Sequence, residues 1–289
     1  MKPILKLLRI KQWVKNLFLF IPTFFAGNIF EFSQLYILAI GAFAFSLVAS
    51  GVYVINDFQD KKLDQRHPQK KYRPIASGQI SGNTALILIL ALLLAGLGLS
   101  LTLNLDFFYI LLAYFILNLG YCYGLKNIPI LDLFIVAAGF LLRVYSGGVL
   151  VDVFVSHWLS IMILLLALFI VIAKRRDDLV LHEKTGQNLR EVSKAYNLEF
   201  INSCLTLLSS VILVAYIMYT VSPEVSEKFS SHYLFATSVF VMAGIMRYLQ
   251  ITFVERRSGS PTEILLTDKF ILLTILGWVI SFYLIIYSK

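Results

Sequence analysis

QLYILAIGAFAFSLVASGVYVINDFQDKKLDQRHPQKKYRP, residues 34–74, joins two unlike pieces of chain. Residues 34–56 contain no Asp, Glu, Lys or Arg, and as a helix they are long enough to cross about 30 Å of hydrocarbon. The stretch Asn56–Pro74 then carries three of the seventeen acids and six of the twenty-five Lys and Arg residues. An apolar run of that length ending in a dense patch of both charges marks a membrane helix that delivers a polar site to the membrane surface.

Composition agrees with that reading. Hydrophobic residues make up 58% of the 289 and charged residues 15%, against about 25% charged in ordinary soluble domains. Such a chain cannot cover itself with a polar surface. Cys122 and Cys204 both lie in apolar runs, so they read as small core residues and not as a disulfide framework. The basic N-terminus is not followed by a small-residue cleavage site, so no cleaved leader is expected.

Nine apolar segments are long enough to cross or nearly cross a bilayer, at about 14–30, 34–56, 83–104, 106–124, 129–149, 157–173, 198–221, 231–250 and 270–288. The first is interrupted by Pro22 and Gly27. The expected fold is all-α, a polytopic membrane bundle of about nine transmembrane helices, forming one integral-membrane domain over residues 1–289. With nine spans, the N-terminus and the links 57–82, 125–128, 174–197 and 247–269 fall on one side, which then holds 22 of the 25 basic residues. The positive-inside rule makes that side cytoplasmic. The expected location is therefore the inner membrane, with N-terminus and site facing the cytoplasm.

Asp57, Asp60 and Asp64 stand at i, i+3 and i+7, which at roughly 100° per residue places them on one helical face, with Tyr53 and Asn56 beside them. Carboxylates so arranged repel one another unless a cation lies among them. Their oxygens suit Mg²⁺, which keeps several waters and bridges to substrate phosphates. Asn56, Asp57, Asp60 and Asp64 are thus the candidate metal ligands. Lys61, Lys62, Arg66, Lys70, Lys71 and Arg73 follow, and cations beside metal-binding carboxylates are the pairing that Mg–pyrophosphate chemistry requires. For the lysines, orientation of the membrane helices is a sufficient alternative.

Two further regions carry charge where apolar residues would be expected. In 121–148, Lys126 sits in a short link and Pro129 opens a helix on which Asp132, Gly139 and Arg143 share one face. Arg143 would lie roughly 16 Å along that helix, near mid-bilayer. There it either fixes an anionic headgroup or forms an internal hydrogen-bonded pair that only fixes packing. Asp132 is either a ligand or a favourable first-turn acid. Tyr121 and Tyr123 line the site or sit at the interface. The third region, Lys174–Gly186, reads KRRDDLVLHEKTG and is either a phosphate-holding run or a charge cluster ending a helix. The link 247–269 adds Arg247, Arg256, Arg257 and Asp268, with Pro261 and Glu263 at the expected start of a helical turn.

Asn56-Asp57-x-x-Asp60-x-x-x-Asp64, placed after the second span, resembles the first aspartate-rich motif of the UbiA-type intramembrane transferases. Lys71-x-Arg73-Pro74 and Ser77-Gly78 resemble that superfamily's continuation. A second aspartate-rich motif usually follows the sixth span. Here Asp177 and Asp178 are preceded by Lys174, Arg175 and Arg176, and the full acidic spacing is missing. With Gln12-Trp13-x-Lys15-Asn16, Gly139-Phe140-x-x-Arg143 and Pro261-Thr262-Glu263, the pattern is similar to the branch of the superfamily that transfers phosphoribose to decaprenyl phosphate.

That resemblance implies Mg²⁺ as cofactor, phosphoribosyl pyrophosphate as donor and a polyprenyl phosphate as acceptor. It implies Asp57, Asp60 and Asp64 as the catalytic acids. Substrate contacts fall to Lys15, Asn16, Tyr53, Arg66, Arg73, Tyr123, Lys126, Asp132, Arg143, Lys174, Arg175 and Arg176. The membrane is a partner, nucleic acid is not, and a homo-oligomer is compatible with the reading. Two other functions stay open: a prenyltransferase of the same fold using an isoprenyl diphosphate, and a non-catalytic lipid transporter or binder.

Overall fold

The computed structural model describes residues 2–66, 70–185, 191–229, 231, 233–255, 264 and 267–287. It comprises two compact units, Met1–Val155 and Ser156–Lys289. Helix is the element an apolar chain of this kind must form, because within a bilayer only internal hydrogen bonds satisfy the backbone.

The first unit begins with α1 (Lys2–Leu7), a 3-10 helix (Ile10–Phe20) and α2 (Ile21–Ala26), followed by α3 (Phe32–Gln59) and the short α4 (Lys61–Arg66). After a turn region come α5 (Gly82–Leu103), α6 (Leu105–Cys122) and α7 (Leu131–Leu150). Polar caps set the starts of two of them. Ser81 Oγ accepts from the Thr84 amide at 3.2 Å to open α5, and Asn104 Oδ1 accepts from the amides of Asp106 and Phe107 at 2.8 and 3.1 Å to open α6. The second unit holds α8 (His157–Thr185), α9 (Leu198–Val221), α10 (Pro223–Phe229), α11 (Ser238–Phe253) and α12 (Lys269–Tyr287).

Among the described residues, seven helices are long and apolar enough to cross a membrane: α3, α5, α6, α7, α8, α9 and α11 with its lead-in from Leu234. The apolar part of α12, Lys269–Ile285, is shorter. The segment at 14–30, which the sequence reads as a first span, is not a regular α-helix. It is an eleven-residue 3-10 helix joined to six residues of α-helix with Pro22 in the first turn. A 3-10 helix has three residues per turn, so i and i+3 eclipse. Trp13, Asn16 and Leu19 therefore line one edge. Trp13 Nε1 donates to Ser50 Oγ at 3.1 Å, Asn16 Nδ2 donates to Ser46 Oγ at 2.7 Å, and Leu19 is fully buried. The tighter winding is what aims all three at the core.

Close backbone approach packs this unit, as expected where lipid offers no hydrophobic drive between helices. The core face of α3 is rich in small residues, including Gly41, Ala44, Ser46, Ala49, Ser50 and Gly51. On α5, a Cβ at Gly96 would lie 2.9 Å from the Ala44 carbonyl oxygen and 2.7 Å from Val48 Cγ2. On α7, a Cβ at Gly147 would run into the Leu19 backbone carbonyl. Leu86, Ile87, Leu90 and Leu94 on the outer face of α5 are exposed, as lipid-facing residues are.

Candidate active site

The aspartate stripe sits at a helix end. Asp57 is in the last turn of α3, Asp60 caps it, and Asp64 is on α4. The single helical face anticipated over 57–64 is thus divided at Asp60, whose φ and ψ of −82° and 3° leave the helical region. The turn is gentle: the amides of Asp60 and Asp64 still donate to the carbonyls of Asn56 and Asp60 at 2.9 and 2.8 Å. The carboxylates stay neighbours.

Basic side chains from three other segments meet them. Arg73 Nη1 donates to Asp57 Oδ1 at 2.9 Å and to Asp64 Oδ2 at 2.8 Å. Arg9 Nη2 donates to the same Asp57 oxygen at 2.6 Å, and its guanidinium lies 4.9 Å from the centroid of the Tyr53 ring. Lys126 Nζ donates to Asp60 Oδ1 at 2.6 Å, and Asn56 Nδ2 donates to Asp60 Oδ2 at 3.1 Å. Asp57 and Asp64 are buried at 2% and 3% exposure, so these pairings act in a medium where charge interactions are strong.

Local structure aims each cation. Arg9 has left-handed backbone angles, φ 52° and ψ 47°, at the corner between α1 and the 3-10 helix. Such a conformation is uncommon in a residue with a side chain, and here it turns the guanidinium back to α3. Arg73 begins a turn anchored by buried Ile75, Ala76 and Ile80 and by Ser77 Oγ donating to the Arg73 carbonyl at 2.9 Å. Lys126 lies in the 3-10 turn Leu125–Asn127 between α6 and α7.

A second polar cluster lies deeper in the first unit. Arg143, 4% exposed, donates from Nε to Asn16 Oδ1 at 2.8 Å, from Nη1 to the Gly139 carbonyl at 2.6 Å and from Nη2 to Tyr114 Oη at 3.2 Å. Its guanidinium carbon is 4.7 Å from the Phe45 ring centroid, 4.9 Å from Tyr114 and 5.8 Å from Phe140. Of the two roles open to Arg143, the internal one is what these contacts describe. The residue ties the 3-10 helix, α3, α6 and α7 together. Lys15 is half-buried beside it, with Nζ 5.9 Å from the Phe140 centroid.

In the second unit, Arg175 and Arg176 are buried and Lys174 is exposed. Arg175 Nη1 reaches Asp178 Oδ2 at 3.4 Å. Arg176 Nε donates to Asn202 Oδ1 at 2.8 Å, with its guanidinium 5.5 Å from the Phe253 centroid. Arg176, Asn202, Ser203, Thr206 and Phe253 line a cavity of about 850 Å³ at the adjoining ends of α8, α9 and α11.

The residues gathered at the acids are therefore Tyr53, Asn56, Asp57, Asp60, Asp64, Arg73 and Lys126, all singled out by sequence, together with Arg9, which was not. Arg9 was read only as part of the basic N-terminus. A positive φ leaves no signal in residue type, so nothing marked it. Tyr114, in an unbroken apolar run, gave no signal either. Arg66 and Tyr123 are exposed and are not among the described residues that hold the acids, and Asp132 is fully buried in the first turn of α7. Arg256, Arg257, Pro261, Thr262 and Glu263 lie outside the described residues.

Among the described residues no three His, Cys, Asp or Glu side chains are gathered closely enough to hold a metal as they stand. The donor chemistry nevertheless fits a hard divalent cation. Two buried carboxylates converge on one positive atom, Arg73 Nη1, with a third carboxylate and an amide beside them.

The sequence profile of the UbiA prenyltransferase family matches residues 17–251. The chain belongs to that family. As a UbiA-family transferase with many apolar helices it is an integral membrane protein. It is 31% identical over 288 residues to a decaprenyl-phosphate phosphoribosyltransferase of Corynebacterium glutamicum, covering 98% of this chain and 86% of the relative. It is 31% identical to one from Mycolicibacterium smegmatis, covering 96% and 90%. Its fold is that of a UbiA homolog from Archaeoglobus fulgidus solved bound to GPP and Mg²⁺, with TM-score 0.70, 20% identity and coverage of 98% and 99%. The apo UbiA homolog of Aeropyrum pernix superposes with TM-score 0.68 at 14% identity, covering 93% of this chain and 98% of that one.

Proposed function

We propose that this UbiA-family protein transfers 5-phosphoribose from phosphoribosyl pyrophosphate to a polyprenyl phosphate of the decaprenyl type, with release of pyrophosphate. We assign both compact units to one transferase domain in the inner membrane, with the acids and their cations on the cytoplasmic side. The observation that carries the proposal is the gathering of Asp57, Asp60 and Asp64 with Arg9, Arg73 and Lys126 at the end of α3. Near-full-length likeness to phosphoribosyltransferases supports the choice of donor and acceptor.

Mg²⁺ held by Asp57, Asp60 and Asp64 with Asn56 would supply the positive charge that draws off the leaving pyrophosphate. Arg9, Arg73 and Lys126 hold the donor's phosphates, for which guanidinium forks are suited. An oxygen of the lipid phosphate attacks the anomeric carbon of the ribose, and the bond from that carbon to the pyrophosphate oxygen breaks. The attacking phosphate is already ionised at neutral pH, so the residues need not supply a strong base. In the second unit we assign Arg176, in the cavity wall, to substrate phosphate. The same assignment is made for Arg175 and Lys174.

The test is direct. Purified protein with Mg²⁺ and decaprenyl phosphate is incubated with labelled phosphoribosyl pyrophosphate, and separately with labelled isoprenyl diphosphate and an aromatic acceptor. Label entering lipid from the first donor only, and lost with a chelator, is the expected result. Label entering product from the second donor alone would make the protein a prenyltransferase.

A further inference from the structure

We infer that the cavity at the ends of α8, α9 and α11 is where the lipid acceptor is recognised. Arg176 and Asn202 take its phosphate, its polyprenyl chain lies along α9, and the donor has no place there. The inference deepens the transferase reading given above and rests on it.

The polar end of the cavity is built for an anion. Arg176 lines it at 7% exposure, and a guanidinium carries five N–H donors in a fixed fork. One of them, on Nε, holds Asn202 Oδ1 at 2.8 Å. With its oxygen engaged, the Asn202 amide has Nδ2, its donor end, left for a ligand. Ser203 adds a hydroxyl at the rim. The depth is also right. Arg176 lies roughly 28 Å along α8 from His157 at 1.5 Å per residue, and the hydrocarbon is about 30 Å thick. Its guanidinium therefore meets the layer of lipid phosphates.

The remaining wall separates acceptor from donor. Val180, Leu207 and Phe253 make much of it apolar, and its volume of about 850 Å³ holds more than a phosphate. From Leu207, the residues Val211, Val214 and Met218 follow at i+4, i+7 and i+11, all exposed on one stripe of α9. A chain leaving the cavity along that stripe stays on apolar surface. The donor carries a pyrophosphate and a 5-phosphate but no apolar part. One buried arginine, with Glu183 at the rim, cannot balance that charge. Arg9, Arg73 and Lys126 at the end of α3 are the better match. A single phosphate joined to a long apolar chain is the ligand this cavity fits.

The test follows binding of tritiated decaprenyl phosphate to the full-length protein in detergent. Arg176→Gln should weaken it by about 10–100-fold, the scale of a lost hydrogen bond to a charged group. Ser203 is exposed, so Ser203→Trp fills the cavity without disturbing the core. It should weaken binding while thermal unfolding is unchanged, which guards against a folding failure in the first variant. Decaprenol, which lacks the phosphate, and phosphatidylglycerol, a membrane lipid with a phosphate of its own, should displace little label. In turnover, Arg176→Gln should raise KM for decaprenyl phosphate and leave KM for phosphoribosyl pyrophosphate as it was. Binding unchanged in both variants, a KM change confined to the donor, or equal displacement by phosphatidylglycerol overturns the inference. If label still passes from phosphoribosyl pyrophosphate to lipid in that case, the transferase reading stands and only the cavity assignment falls. Arg176-dependent binding of decaprenyl phosphate by a protein that moves no label from that donor keeps the lipid-phosphate site and removes the transferase reading.

Discussion

Replacing Asn16 with leucine should destabilise the protein more than replacing Arg143 with methionine, although Arg143 makes more contacts. The balance follows from what each change leaves behind. Arg143→Met removes a buried charge, whose placement at mid-membrane is opposed by about 2.5–3.5 kcal/mol on insertion scales. Against that relief stand the loss of stacking on Phe45 and Tyr114 at 4.7 and 4.9 Å, about 2 kcal/mol when desolvated, and one orphaned acceptor on Asn16, about 1–3 kcal/mol. Gly139 keeps its place in the α7 backbone ladder. The terms nearly cancel, for a net loss of about 0–2 kcal/mol. Asn16→Leu leaves the guanidinium buried and removes its 2.8 Å acceptor, and it takes the Ser46 contact with it. The guanidinium keeps Gly139 and Tyr114, but losing a hydrogen bond to a charged group costs about 1.5–3 kcal/mol and losing the Ser46 contact about 0.5–1.5 kcal/mol, for a net loss of about 2–4 kcal/mol.

The double variant should therefore be more stable than Asn16→Leu alone. The expected coupling is about 1.5–3 kcal/mol for a hydrogen bond to a charged group, with the membrane average of about 0.6 kcal/mol as a floor. Unfolding by sodium dodecyl sulfate in mixed micelles, followed by circular dichroism, measures it. Hydrogen exchange over residues 10–20 locates it. Strictly additive losses would refute the reasoning. So would an Arg143→Met protein of unchanged stability with a large rise in KM for the donor, since that is the mark of a substrate contact.

Other outcomes are expected from the same geometry. Asp60→Asn should lower pyrophosphate release by about 100-fold or more at saturating Mg²⁺, the scale for losing one charge-stabilising group at a reacting centre. Gly147→Ala pushes the Leu19 backbone away from α7 and should cost about 1–3 kcal/mol, read as earlier thermal unfolding. Asp268 donates no proton at neutral pH. The Arg247 hydrogen bond at 2.9 Å holds its carboxyl below the usual carboxylate range. Its contribution is thus full above the unfolded carboxylate pKa and is lost as pH falls through the lower folded value. Hydrogen exchange at the start of α12 should quicken over that acid range in wild type but not in Asp268→Asn.

Much of this was legible because membrane helices follow from length and hydropathy. The expected limits of 198–221 coincide with those of α9, and 83–104 lies within one residue of α5. The 14–30 segment was less legible, because its winding is set by three contacts with α3 and α7 and not by its own composition. At the site, spacing alone placed Asp57, Asp60 and Asp64 together. It did not place their partners. Arg73 was read among a run of basic residues whose individual roles charge counting cannot separate, and Lys126 lies 66 residues from Asp60. Arg143 was singled out as a charge in an apolar helix, but only the rings of Phe45 and Tyr114 reveal why it is tolerated there.

The Asn16–Arg143 bond spans 127 residues of chain. At ribosomal speeds of about 5–20 residues per second, Asn16 emerges about 6–25 s before its partner. Throughout that interval the first apolar segment lacks Arg143 and the α7 surface at Gly147. Insertion and final winding of this segment are thus separate events, the second timed by synthesis of α7. In nascent chains halted short of residue 143, a cysteine substituted at Asn16 should be open to a thiol reagent, and it should close once α7 has been made.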